Sequence, residues 1–306
     1  MRYFDAVNKT IQVPEISLGV MRLPQRTQEE ANELIARAME LGVNMFDTAD
    51  IYAGGESDIV LGKAMKQHNR EDMIIQTKAS IVPGVEYNAS EEYLLNSLDG
   101  SLKRLDTDYV DILLLHRPDA LIEPAQVASA FEKMHAAGKV KYFGVSNFNT
   151  YQVELLNHYL PEHLKIKFNQ MQLSLSHSRM IDTGINVNQS VNEALDLSAG
   201  TLEYSQLHDI RVQAWSPVQK SEGGGTFIGD PAYEKLNSKM DELAEKYKTN
   251  VSAITIAWIL RHPAQIQAIV GTTNKSRLED MVEATTFQLT HREWYDLYLA
   301  SGKPLA

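Results

Sequence analysis

Short, mostly apolar runs recur along the chain, separated by longer amphipathic stretches. Eight runs read as strands: SLGVMRL (17–23), VNMFDTA (43–49), MIIQTKA (73–79), YVDILLLH (109–116), VKYFGVS (140–146), IKFNQMQ (166–172), IRVQAWS (210–216) and AIVGT (268–272). They are apolar on both faces rather than alternating, which is the pattern of parallel strands covered on two sides. The intervening stretches carry helix signals. Thr27, Gln28, Glu29 and Glu30 form a capping box ahead of ANELIARAMELG, which ends at Gly42. Ser90 precedes Glu91 and Glu92, Glu123-Pro124 opens a helix running to Gly138, and Asn149 opens the next. Further helices are expected over 188–208, 232–247 and 252–262, and a second capping box, Thr290 with Glu293, precedes WYDLYLA. Alternation of this kind predicts either a doubly wound sheet or a closed barrel. Eight strands in 306 residues favour a (β/α)8 TIM barrel.

Residues 1–14 read differently. RYFDAV and TIQVPE flank Asn8-Lys9, a turn signal, and predict an N-terminal β-hairpin closing the barrel bottom. No linker interrupts the chain, so residues 1–306 are expected to form one domain. The Gly-rich stretch 221–231 follows the seventh strand, where a flexible loop would clamp a ligand.

Composition narrows the function. Hydrophobic residues are 43% and charged residues 23%, an ordinary globular balance. A net charge of −11 argues against a nucleic-acid or anionic-membrane surface. There is no cysteine, so disulfides and thiolate metal sites are out, and a reducing cytoplasm fits. The N-terminal residues lack an apolar signal core, and no apolar run reaches membrane-spanning length. Nine dispersed histidines give no reason to expect a metal site. Dinucleotide-binding glycine fingerprints and P-loops are absent, as are the serine-hydrolase and zinc-protease motifs.

Four polar residues fall at the C-terminal ends of successive strands: Asp47 with Tyr52, then Lys78, then His116. In a barrel those ends open onto one face. There Tyr52 suits proton donation to a carbonyl oxygen, Lys78 stabilises the phenolate, Asp47 holds Lys78, and His116 orients the carbonyl. Each also has an ordinary structural reading, as a cap, a packing residue or a solvated charge. Their order along successive strands is what singles them out.

These residues sit in stretches that resemble the aldo-keto reductase family over nearly the whole chain. GVNMFDTADIYAGGESDIVLGKAM (42–65), IIQTKAS, DILLLHRPD and the run from Gly138 through GVSNF each resemble a family motif, and within the family the chain looks similar to bacterial oxidoreductases of the YdhF type. The resemblance implies NADP(H) bound across the barrel mouth and a small-molecule carbonyl substrate. It implies Ser146, Asn147 and Gln170 on the nicotinamide carboxamide, Trp215 stacked on its ring, and Gly19, Met21 and Arg22 beside it, with Asp47 also reaching the ribose. Ser216 and Val218 would meet the pyrophosphate, with Gly223, Gly224, Gly225 and Thr226 closing over it. Thr272, Thr273, Asn274, Lys275 and Arg277 would face the adenosine 2′-phosphate, and Asp280 the adenine. Two positions depart from the family pattern. Gly271 stands where many members have a lysine, and Ser80 where many have an aromatic pocket wall, which predicts a wider pocket. The alternative function is a non-catalytic NADPH-sensing regulatory subunit of the same fold. A barrel hydrolase or lyase without nicotinamide is a further rival. Oligomeric state is not legible.

Overall fold

The structure is a computed structural model and describes residues 1–7, 9–195, 198–221 and 224–305. Its centre is a closed barrel of eight parallel strands: β3 (Ile16–Gly19), β4 (Met45–Asp47), β5 (Ile74–Ala79), β8 (Val110–Leu115), β9 (Val140–Ser146), β10 (Phe168–Gln172), β11 (Arg211–Trp215) and β12 (Gln267–Val270). They neighbour one another in chain order. β12 closes onto β3 by pairing Ala268 with Ile16 and Val270 with Leu18. All eight predicted strands are present. The first ends at Gly19 rather than 23, because Val20 turns to donate to Asp47 O and the chain then enters a 3-10 turn at Leu23–Gln25.

Helices cover the barrel's outer face. Among the described residues they are α1 (Gln28–Glu40), α2 (Glu56–Met65), α3 (Glu91–Leu105), α4 (Pro124–Ala136), α5 (Thr150–Tyr159), α6 (Arg179–Ile185), α7 (Thr201–Leu207), α8 (Glu234–Tyr247), α9 (Val251–Leu260), α10 (Lys275–Val282) and α11 (His291–Ala300). Both capping boxes form, at Thr27 with Glu30 and at Thr290 with Glu293. Ser90 and Asn149 cap as expected. The helix expected over 188–208 does not form as one element. Asn188, Ala199 and Gly200 all take positive φ, and among the described residues of this stretch α-helix is confined to α7. Helix α2 escapes periodicity because most of it is buried, leaving no polar stripe to mark it. None of the described helices is long and apolar enough to cross a membrane.

The hairpin of β1 (Tyr3–Ala6) and β2 (Ile11–Pro14) plugs the end of the barrel where its strands begin. Phe4, Ala6 and Val13 pack on Met45, Ile74, Ile112 and Phe168. Arg211, the first residue of β11, donates to Asp5 O at 2.6 Å and lays its guanidinium over Phe4. The predicted turn includes Asn8, which lies outside the described residues. Its flanks are joined by Thr10 N donating to Val7 O. A short outer hairpin, β6 (Ile81–Val82) with β7 (Glu86–Tyr87), follows β5 at the opposite end.

Close helix packing fixes the segment that carries Tyr52. A Cβ at Gly62 of α2 would lie 2.5 Å from the carbonyl oxygen of Leu105 on α3, and backbone cannot yield as a side chain can. Gly62→Ala is therefore expected to destabilise by about 1–3 kcal/mol, the range for overpacking. Urea unfolding monitored by circular dichroism checks this. An unchanged midpoint would mean that the two helices can separate freely.

Candidate active site

Lys78, the penultimate residue of β5, points inward and is 1% exposed. Its ammonium has three N–H groups and finds three acceptors: Asp47 Oδ2 at 2.7 Å, Thr48 O at 2.9 Å and Tyr52 Oη at 3.1 Å. Burial opposes the lysine charge, but Asp47 and Tyr52 outweigh it and hold the Lys78 pKa above its ordinary value. Asp47 ends β4 and is itself buried; its Oδ1 accepts from Gln76 Nε2 at 2.6 Å and Gln170 Nε2 at 2.9 Å.

Tyr52 lies in a 3-10 turn, Tyr52–Gly55, that needs positive φ at Ala53, Gly54 and Gly55. The turn is anchored by Asp58, which accepts from Thr48 Oγ1 at 2.7 Å and from Arg104 Nη2 at 2.9 Å. Asp50, just before it, accepts from Ser97 Oγ at 2.6 Å, and burial pushes its carboxyl up to about 6. For Tyr52, burial is the largest influence and raises the phenol pKa; the Lys78 charge pulls it down without reversing the sign. Lys78 favours the phenolate as expected, but burial outweighs it. The phenol's neutral form is thus favoured by burial, with the Lys78 ammonium beside it.

His116 follows β8 and meets Tyr52 edge to face, with ring centroids 5.7 Å apart. Its Nδ1 is buried without a hydrogen-bond partner. Burial, with Lys78 and Arg117 nearby, pushes the imidazole down to about 2, so the ring is neutral at every ordinary pH. Its backbone is pinned by Ser80, whose hydroxyl accepts from His116 N at 3.1 Å and donates to Arg117 O at 3.3 Å. Ser80 is fully buried, at φ +97°, and does not line the cavity. Ser80 thus holds the backbone that follows β8, and no aromatic wall reaches the cavity from this position.

A cavity of about 410 Å³ opens over these groups. Tyr52, Asp47 and His116 line it, with Gly19, Met21 and Arg22 from the end of β3 and Ser146, Asn147 and Gln170 from β9 and β10. Trp215, Ser216 and Val218 line it after β11, and Thr272 and Arg277 after β12. Sequence reasoning missed Arg117, Pro217, Gln219, Ile269 and Met281, which also line it. Arg117 adjoins His116 in sequence, and that adjacency was the available signal.

Other expected contacts lie elsewhere. Lys275 pairs with Glu33 of α1, across the helix surface, instead of facing the cavity. Asn274 caps α10 by accepting from Arg277 N at 3.0 Å, and Thr273 Oγ1 accepts from Arg26 Nε at 3.2 Å. Asp280 does not line the cavity. Gly224, Gly225 and Thr226 form an exposed turn held by Lys220 N donating to Gly225 O and by a Lys220–Asp230 ion pair of 2.7 Å. Gly223 lies outside the described residues. Asn147 has its amide engaged: Oδ1 accepts from Trp215 Nε1 at 3.1 Å and Nδ2 donates to Ser146 Oγ at 2.8 Å. The indole at the cavity wall is thereby fixed in orientation.

The cavity fits a long anionic cofactor. A chain of net charge −11 gathers Arg22, Arg117 and Arg277 at this one mouth, beside a half-buried indole. The single lining carboxylate, Asp47, is spent on Lys78. Arg22 also donates to Gly271 O, which puts a cation beside the position where a lysine was expected.

Comparison with known proteins agrees with this architecture. The family model described as "Aldo/keto reductase family" matches residues 15–298. Oxidoreductase YdhF of Escherichia coli (strain K12) is 32% identical, the alignment covering 95% of each chain. A 6-dehydroglucose reductase of Novosphingobium aromaticivorans is 32% identical over 95% of this chain and 92% of its own. The solved structure of a thermostable aldo-keto reductase, Tm1743, in complex with the inhibitor epalrestat superposes with a TM-score of 0.79 at 26% identity, covering 98% of this chain and all of that one. The chain belongs to the aldo-keto reductase family. It is an oxidoreductase of a family that uses NADP(H) and acts on small-molecule carbonyl compounds.

The buried imidazole has a consequence for stability. Unfolded, His116 takes up a proton below about pH 6.5; folded, it does so only near pH 2. The unfolded state therefore binds more protons as pH falls below 6.5, and stability drops there. Between pH 7.5 and 5.5 the wild type is expected to lose about 1.4 kcal/mol more than His116→Gln. Urea titrations of both proteins at the two pH values measure the difference. Equal losses would mean that the folded imidazole is charged.

Proposed function

We propose that the protein reduces an aldehyde or ketone to the alcohol with Tyr52 as the proton donor, residues 1–306 acting as one domain in a reducing cytoplasm. The observation that carries this reading is one buried ammonium in contact with both a carboxylate and a phenol, Lys78 with Asp47 and Tyr52. When bound, NADPH supplies the hydride. Tyr52 stays protonated until the carbonyl oxygen gains charge, then releases its proton to it. Lys78 stabilises the phenolate left behind, and Asp47 keeps Lys78 charged. His116, neutral and lining the cavity beside Tyr52, offers an N–H to orient the carbonyl oxygen.

For the cofactor, Trp215 offers a flat apolar face held by Asn147, suited to stacking on a nicotinamide. Ser146 and Gln170 flank it for the carboxamide. Ser216 and Val218 stand next along the wall for the pyrophosphate. Thr272 and Arg277 supply the 2′-phosphate end, with Arg22 in the role that a lysine at 271 would fill. The paired, complete tetrad weighs against the non-catalytic alternative.

Tyr52→Phe tests the acid directly. The single-turnover rate should fall by roughly 10²–10⁴-fold while NADPH affinity, read by fluorescence titration, barely moves. A variant retaining more than about a tenth of the wild-type rate would reassign the proton donor. Arg277→Ala tests cofactor choice. Loss of a charged hydrogen bond, roughly 1.5–3 kcal/mol, should weaken NADPH about 10- to 100-fold and leave NADH nearly unchanged. Equal weakening of both dissociation constants would mean that Arg277 does not read the 2′-phosphate.

A further inference from the structure

The barrel interior holds a polar chain that the relay does not itself use. Gln76 on β5, Gln213 on β11 and Gln267 on β12 are fully buried, and Gln170 on β10 nearly so. Their amides connect the hairpin plug to the catalytic carboxylate. Gln267 Nε2 donates to Pro14 O of β2 at 2.6 Å. Gln213 Nε2 donates to Gln267 Oε1 at 2.8 Å and to Gln76 Oε1 at 3.0 Å. Gln76 Nε2 donates to Gln213 Oε1 at 2.9 Å and to Asp47 Oδ1 at 2.6 Å. Gln170 Nε2 joins the same two acceptors, at 3.3 Å and 2.9 Å.

Both ends dictate the direction of this chain. Pro14 offers only a carbonyl, and ionised Asp47 can only accept. Turning any one amide over would set acceptor against acceptor. The chain therefore has a single orientation, and its donor end arrives at Asp47 Oδ1, leaving Oδ2 for Lys78. Packing alone does not call for such residues. Met45, Ile112 and Leu114 fill adjoining interior space with apolar side chains, as barrel cores usually do, and a buried amide is unfavourable unless every group is paired.

We propose that Gln76, Gln213 and Gln267 are positioning residues that hold the Asp47 carboxylate in the orientation that pairs with Lys78, and brace it against the hairpin at the barrel's far end. None of the three lines the cavity, so they act through Asp47 and not on substrate or cofactor. The inference rests on the reading of Asp47, Lys78 and Tyr52 as a working relay.

Gln213→Met keeps the side chain's length and removes both ends of its amide. The single-turnover rate with a reactive aldehyde and NADPH should fall about 10-fold, the lower range for losing a partner that orients a functional group. The NADPH dissociation constant should stay within about 2-fold. The decisive comparison is made in an Asp47→Asn background. There the same change should cost less than about 2-fold, because the carboxylate to be positioned is gone. Equal fold-losses in the two backgrounds, or a wild-type rate in Gln213→Met with only a lowered Tm, would overturn the proposal and leave the chain a structural filler. If Gln213→Met does not fold, the triple variant Gln76→Met, Gln213→Met, Gln267→Met removes the mutually paired amides together and carries the same cycle. A wild-type rate for Asp47→Asn alone would overturn the relay itself, and the positioning chain with it.

Discussion

The structure turns on burying one lysine. Side-chain exposure is 0% for Lys78 and 4% for Asp47. Removing two charges from water is unfavourable by several kcal/mol per ion unless geometry and additional hydrogen bonds compensate. Here the compensation is complete on both sides. Three acceptors meet the three ammonium protons, and two amide donors meet the second carboxylate oxygen. One of the three acceptors is the phenol, so the arrangement that makes the buried charge tolerable also ties Tyr52 to the ion pair, as the proposed acid role requires. Stability and chemistry share the same hydrogen bonds.

The loops around the pair show where strain has been accepted. Ser80, Asn147 and Ser216 each follow the last residue of a barrel strand and each has positive φ. Non-glycine residues in that region are disfavoured and persist only where surrounding contacts over-determine them. The contacts are present: Ser80 holds the backbone of His116 and Arg117, Asn147 holds Trp215, and Ser216 Oγ donates to Gln219 Oε1 at 2.8 Å. The sharp exits turn the chain across the barrel mouth, where side chains from β4, β9 and β11 and from the segment after β8 converge on one cavity. The opposite mouth is filled by the hairpin with Phe4, Ala6 and Val13.

Electrostatics divides the site into a sealed interior and an open rim. Inside, Lys78 and Asp47 neutralise each other and His116 carries no charge. At the rim, Arg22, Arg117 and Arg277 stand without carboxylate partners among the described residues. An anion is thus drawn to the rim, while the interior beneath it is neutral overall.

Much of this was legible in the chain alone. Apolar runs marked the strands, because a parallel strand covered on both faces has no polar side to interrupt it. Capping boxes marked α1 and α11, because those bonds are made within four residues. The order of Asp47, Tyr52, Lys78 and His116 pointed to one face, because strand ends in a barrel share it. What the sequence left open depends on side chains far apart in the chain that meet only once strands are staggered. Gln76 and Gln213 are neighbours across 137 residues, Arg22 and Gly271 across 249, and Lys275 finds Glu33 across 242. Gln76 stood two residues before Lys78 and so shared its inward face, but nothing local says that three further glutamines arrive at the same level. Helix α2 was hidden because its burial on most sides leaves no polar stripe. Local pattern reports which way a residue faces, and only the closed barrel decides what it faces.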